Sequence, residues 1–250
     1  MREYLVFRLY APLASWGEAA VGETRPTATH PGRSAIIGLL GAALGIRRDD
    51  DAGQQALNDS VRIAVKQRSP GTLLRDYHTA QVPSTQTKVT YRTRRDELNA
   101  PRKAINTILS SRDYRGDGLW TVAVWATEAA TISLEALQAA LERPRFTLYL
   151  GRKACPLAAP LAPRRMPAET LRAALDSDFA PIDPGEQRLL RLSDDVIYYW
   201  EGGAAGLDGE ASGVESNDVW DQPLNRRRWQ FGPRVEYRRF ARDANPKEAR

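Results

Sequence analysis

Tyr4-Leu-Val-Phe-Arg-Leu-Tyr10 alternates around Leu5, Phe7 and Leu9, the period-two pattern of a strand with one buried face. The segments that follow decide the fold. Residues 11–32 carry Pro12, Pro26 and Pro31 among Gly17, Gly22 and Gly32, which predicts a long loop. Ser34-Ala-Ile-Ile-Gly-Leu-Leu-Gly-Ala-Ala-Leu-Gly45 then places Ile37, Leu40 and Leu44 at helical spacing, with Gly45 as the stop. A short second helix is expected over 50–58, and Val61–Val65 alternates as a second strand. Leu119-Trp-Thr-Val-Ala-Val-Trp125 has the content of a third. Ser133–Glu142 reads as an amphipathic helix capped by Ser133, and Phe146–Leu150 as a strand. The order strand, helix, strand, long excursion, strand, helix, strand is the split βαβ pattern of an α+β, ferredoxin-like or RRM-like domain, a kind of sheet that commonly binds RNA. Residues 1–153 are expected to form it. Residues 154–242 read as a smaller β-rich region, with a strand near Asp195–Trp200 and an acidic, Gly-rich mobile loop at 201–218; residues 243–250 read as a frayed tail.

Across 250 residues, 42% hydrophobic and 27% charged, there is enough apolar content for a real core. The single cysteine, Cys155, excludes an intrachain disulfide and a multi-cysteine zinc site and reads as a small buried apolar residue. Glu3 and Arg8 interrupt the apolar N-terminus, so it does not fit a signal-peptide core. The longest apolar run, Ile36–Ile46, is too short for a bilayer. A cytoplasmic protein without cofactor or metal is expected; Asp49-Asp50-Asp51 reads as a helix cap.

The net charge of +5 is modest, so its distribution matters more than its size. One basic cluster is the arm from Arg75 to Arg115. There Arg75, Tyr77 and His78 precede Thr87-Lys-Val-Thr-Tyr-Arg-Thr-Arg-Arg95, whose alternation suggests an extended hairpin. Lys88, Arg92, Arg94, Arg102 and Lys103 would meet phosphates, and Tyr91 a base; a merely solvated charged loop is the other reading. A second run, Arg226 to Arg242, interleaves Trp229, Phe231, Tyr237 and Phe240 and contains only Glu236 against its arginines. In Tyr149-Leu-Gly-Arg-Lys153 a strand ends in a glycine followed by Arg152 and Lys153, either a phosphate cradle or a solvent-facing turn. Arg25-Pro-Thr-Ala-Thr-His-Pro-Gly-Arg-Ser34 brings Arg25, Arg33 and Ser34 to a helix start, either an anion site or a plain cap at Ser34. HExxH, Walker A and cysteine-pair patterns are missing. Of the two histidines, His78 beside Tyr77, with Arg75 nearby, is better suited to metal-independent RNA cleavage than His30.

Leu13-Ala-Ser-Trp-Gly17, Thr24-Arg-Pro-Thr27, Gly32–Ile46 with Arg48-Asp-Asp50, Leu74-Arg-Asp-Tyr-His-Thr79 and Tyr149–Leu157 together resemble the Cas-five family of the RAMP superfamily, as found in the type I-E CRISPR effector Cascade. The likeness runs in order to about residue 160 and is faint beyond it, with 201–218 resembling an insertion. It implies a non-catalytic subunit that holds the 5′ handle of the CRISPR guide RNA for antiviral defence, while a separate subunit, CasE, cuts the precursor. It also implies a thumb hairpin, mapping to Thr79–Arg115, that contacts the backbone subunit CasC. The large subunit CasA would dock nearby, and target DNA would be met only through the complex. Some relatives in another subtype are themselves the processing endoribonuclease, which keeps cleavage as the alternative. A generic single-strand chaperone fits the basic surface but not the motifs.

Overall fold

The computed structural model describes residues 1–20, 22–84 and 89–243. The elements are β1 (Arg2–Ala14), β2 (Thr24–Arg25), α1 (Arg33–Leu44), α2 (Asp51–Ser60), β3 (Val61–Ser69), β4 (Thr72–Pro83), α3 (Arg94–Leu98), β5 (Ile105–Ala126), α4 (Leu134–Glu142), β6 (Arg164–Ala168), α5 (Leu171–Leu175), α6 (Glu186–Leu189), β7 (Asp195–Trp200), β8 (Glu215–Asn225) and β9 (Gln230–Arg242). Asp50 caps α2 by accepting from Gly53 N, Ser133 caps α4 by accepting from Ala136 N, and Gly45 ends α1. Among the described residues no helix is long and apolar enough to cross a membrane.

One nine-stranded sheet runs in the order β6-β1-β5-β3-β7-β9-β8, with β2 and β4 also pairing β5. Period-two alternation sends Leu5, Phe7 and Leu9 of β1 to one face, where they pack with Ile36, Ile37, Leu40, Leu137 and Leu141 of α1 and α4. Tyr4 and Val6 go to the other face, against Leu171, Ala174 and Leu175 of α5 and against Leu207. Each buried aliphatic side chain contributes roughly 1.5 to 3 kcal/mol, and Leu40→Ala in this core would cost about 2 to 5 kcal/mol. Both faces of the central strands are therefore covered. RNA has no open sheet surface there, contrary to the platform the strand order suggested.

β5 is the spine of the molecule. Its second half lies between β1 and β3, whereas its first half leaves the sheet and pairs with β4 from Thr72↔Gly116 to Pro83↔Ile105. The hairpin thus starts earlier than Thr79, and its strands flank residues 89–95 instead of lying in them. Residues 94–98 are helical because Thr93 and Asp96 form a reciprocal capping box.

Three other expectations change. Phe146–Leu150 is a loop with one bridge, Tyr149↔Pro156; its alternation arises because Leu148 and Leu150 turn into the core. The strand beside β1 is β6 instead, whose Pro167 is tolerated because β6 is an edge. Residues 154–242 do not stand apart, since β7, β9 and β8 continue the sheet from β3. Nor is 201–218 a free loop: Leu207 is fully buried, and Asp208 accepts from Arg239 and Arg172. Lys66, buried in β3, bonds Asp176 and Asp243, each at 2.7 Å. Asp243 is thus fixed, while the rest of the expected tail, 244–250, lies outside the described residues.

Candidate nucleic-acid interface

Beside α1 lies a cleft of about 1660 Å³, bounded by the loop after β1, the 146–152 loop and the β8–β9 hairpin. The Leu13–Gly17 segment builds its floor. Ser15 N donates to Leu150 O at 3.0 Å, Ser15 Oγ to Asp113 O at 3.1 Å, and Trp16 N to Thr27 Oγ1 at 2.8 Å. Trp16 is 2% exposed and packs edge-on against Trp120, yet its Nε1 has no partner among the described residues. Gly151 adopts φ +83, and a Cβ there would stand 1.8 Å from Ser15 O. Its glycine serves a close approach of the chain to itself, which is a narrower role than a phosphate cradle.

The walls are basic. Arg25, Arg48, Arg152, Arg226 and Arg227 line the cleft, and among the described residues none of them forms a salt bridge with a carboxylate. Arg152 lies 4.6 Å over the Tyr114 ring and donates from Nη2 to Arg25 O at 3.3 Å, and its Nη1 has no partner among the described residues. Lys153 is exposed beside it. The acids here are mostly committed. Asp221 accepts from Arg234, Glu236 from Arg234 and His30, and Asp49 sits with Arg47. Burial alone would raise the Glu236 carboxyl, but the His30 hydrogen bond and the charges of His30 and Arg234 hold it below its ordinary value.

The helix start is not an anion site. Asp221 Oδ2 accepts from Arg33 N at 2.5 Å, so a carboxylate from β8 already occupies the position a phosphate would take, and Gly32 rather than Ser34 is the cap. Arg33 is 6% exposed, bonded to Glu201 at 2.8 Å and to the carbonyls of Asn58 and Val61. It is a structural cation. Ser34 lines the cleft.

On the thumb hairpin, Arg75 pairs bidentately with Asp113 at 2.8 and 3.0 Å, which holds the Asp113 carboxyl below its ordinary value. Arg75 and Tyr77 share one face. His78 and Asp76 lie on the other, by strand alternation. His78 Nε2 is 2.7 Å from Asp76 Oδ2, an electrostatic contact whose angle does not make a hydrogen bond. The set read as a cleavage centre therefore does not converge. Tyr77 is 77% exposed, among Leu73, Leu74, Ile108 and Leu109, all about half exposed. At the tip Arg94 is tied to Glu97 and Gln81 O, Arg92, Arg102 and Lys103 are exposed, and Tyr91 is half-buried. Lys88 lies outside the described residues.

Sequence reading missed Arg48, Arg226, Arg227 and Trp16 as one site, because they come from separate segments of the chain. The signal for the last turn was present in Arg226-Arg-Arg-Trp229 but diluted within a longer run. Three arginines further along that run are neutralised: Arg234 bonds Asp221 and Glu236, Arg238 bonds Glu215, and Arg239 bonds Asp208.

Residues 4–235 match the family model described as CRISPR-associated protein (Cas_Cas5). The chain is 42% identical over 169 residues to the CRISPR system Cascade subunit CasD of Escherichia coli (strain K12), a match covering 64% of this chain and 70% of that one. Among solved structures it is similar to a chain of a CRISPR RNA-guided surveillance complex, with TM-score 0.64, 27% identity, and coverage of 96% and 90% of the two chains. A second, titled as the crystal structure of a Cas protein, gives TM-score 0.57, 25% identity, and coverage of 96% and 94%. With a mixed α/β architecture on a large antiparallel sheet and a family match spanning nearly its whole length, this chain belongs to the Cas5 family of CRISPR-associated proteins.

Proposed function

We propose that this chain is a subunit of a type I-E Cascade complex, that it grips the 5′ handle of the guide RNA in the cleft beside α1, and that it does not cut it. The observation that carries this reading is the row of arginines without carboxylate partners, among the described residues, along a cleft floored by Trp16. Such cations along a groove give sequence-independent phosphate binding. The order β6-β1-β5-β3, antiparallel throughout, supports a ferredoxin-like reading of the first half. The separation of His78 from Arg75 and Tyr77 supports binding over cleavage. The thumb, with apolar side chains exposed on both faces, suits a protein neighbour, and we assign it to the backbone subunit CasC, with CasA docking elsewhere on the same complex.

Anisotropy titration of repeat-derived RNA in EDTA tests this. The double variant Arg152→Ala/Lys153→Ala should weaken binding across sequences and reduce the log-log salt slope by roughly one for each phosphate interaction removed. The RNA should stay intact throughout. An unchanged slope would remove the 152–153 loop from the interface, and specific cleavage that disappears in His78→Ala would replace binding by endonuclease chemistry.

A further inference from the structure

The β8–β9 turn closes one side of the cleft and keeps cations without carboxylate partners among the described residues, unlike Arg234, Arg238 and Arg239 further along the C-terminal run. Trp229 sits there at φ 56, a left-handed backbone costly for a residue with a Cβ, and is 58% exposed. Phe231 braces its ring edge-on, with centroids 5.4 Å apart at 87°, and the Arg48 guanidinium lies 4.8 Å from the indole centroid. Arg226 approaches the same ring at 5.9 Å. Arg226 also lies across α1, donating from Nη2 to Ser34 O.

Arg226 is not at electrostatic rest. Burial and then the charge of Arg48 both press its pKa downward. Among the described residues its Nε has no partner, and neither cation has a salt bridge. Arg234, Arg238 and Arg239, a few residues on, all have carboxylate partners. Like charges held together beside a half-exposed indole suit one kind of ligand, an anion that carries an aromatic ring.

Resting on the reading that the cleft holds RNA, we infer that Trp229, Arg48 and Arg226 form a nucleotide subsite. One base of the bound single strand stacks on the open part of the indole, and the two guanidiniums hold the phosphate beside it. The left-handed turn aims the indole toward the cleft.

The test uses the full chain and handle RNAs shortened one nucleotide at a time from either end, at fixed salt. Trp229→Ala should weaken binding of the full-length RNA roughly 5- to 150-fold, and Trp229→Phe should restore most of it. The penalty should vanish on RNAs too short to reach the turn, at the same length where the unaltered chain loses that affinity. Arg152→Ala/Lys153→Ala should instead weaken every length. No penalty for Trp229→Ala, or one independent of length, would overturn the subsite while leaving the cleft reading intact. Unchanged RNA affinity with failed incorporation into the assembled complex would assign the turn to an acidic protein neighbour instead. If the unaltered chain bound none of the RNAs, both readings would fall.

Discussion

The tip of the thumb and strand β9 carry basic runs that look alike as sequence and differ in how their charges are partnered. The thumb tip keeps Arg92, Arg102 and Lys103 exposed and free of salt bridges among the described residues, on the segments either side of an α3 that buries nothing. In β9, Arg234, Arg238 and Arg239 are bound to Asp221, Glu236, Glu215 and Asp208. Most of those acids precede the run, in segments that the sheet brings alongside it. Charge counted in a window therefore reports binding potential only where the fold supplies no carboxylate.

The sharpest way to break this contrast is Arg234→Met. It leaves Asp221, Glu236 and Glu201 near a vacated, largely buried position, and urea unfolding should show a loss of about 3 to 5 kcal/mol. A loss below about 1 kcal/mol, the range of exposed pairs, would place β9 with the solvated runs. The second test is acid. Because the Glu236 pKa is depressed in the folded state, its contribution is present above the ordinary carboxylate value of 4.5 and is lost as pH falls through the lower folded value. Glu236→Gln should remove that share of the acid limb, seen as a shallower fall of unfolding free energy below the same ordinary value of 4.5.

Smaller still is the effect of replacing 84–104 with a Gly-Ser turn. The β4–β5 ladder ends at Pro83↔Ile105, so the core is untouched and stability should shift by less than about 1 kcal/mol, while incorporation into the complex falls steeply. A cut back to Thr79 and Arg115 would be harsher, because it removes Asp113 and Tyr114, both buried. Smallest of all, Arg92→Ala/Arg102→Ala/Lys103→Ala should leave unfolding within about 0.5 kcal/mol and lower only the salt slope of RNA binding.

The sequence made β1, α1, α2, α4 and β7 legible, because their periodicity and caps are local. It hid β6, whose Arg164-Arg-Met-Pro-Ala168 is short, carries two arginines and a proline, and survives only as an edge. It misled at Phe146–Leu150, where burial of alternate residues in a loop mimics a strand. Arg33 read as a phosphate ligand because Glu201 and Asp221, its partners, lie far along the chain. The cleft was illegible for the same reason: its walls meet only after the β8–β9 hairpin folds against α1.

Lys66 carries a consequence for how the protein is made. Its ammonium is buried in the middle of the sheet, and the two carboxylates bonded to it come 110 and 177 positions later. A chain emerging residue by residue from the ribosome reaches β5 and α4 with this charge still needing water, so the first half cannot close its sheet permanently until both carboxylates have been made. Fragments ending near residue 160 should accordingly be clients of chaperones and proteases, however well their motifs match the family.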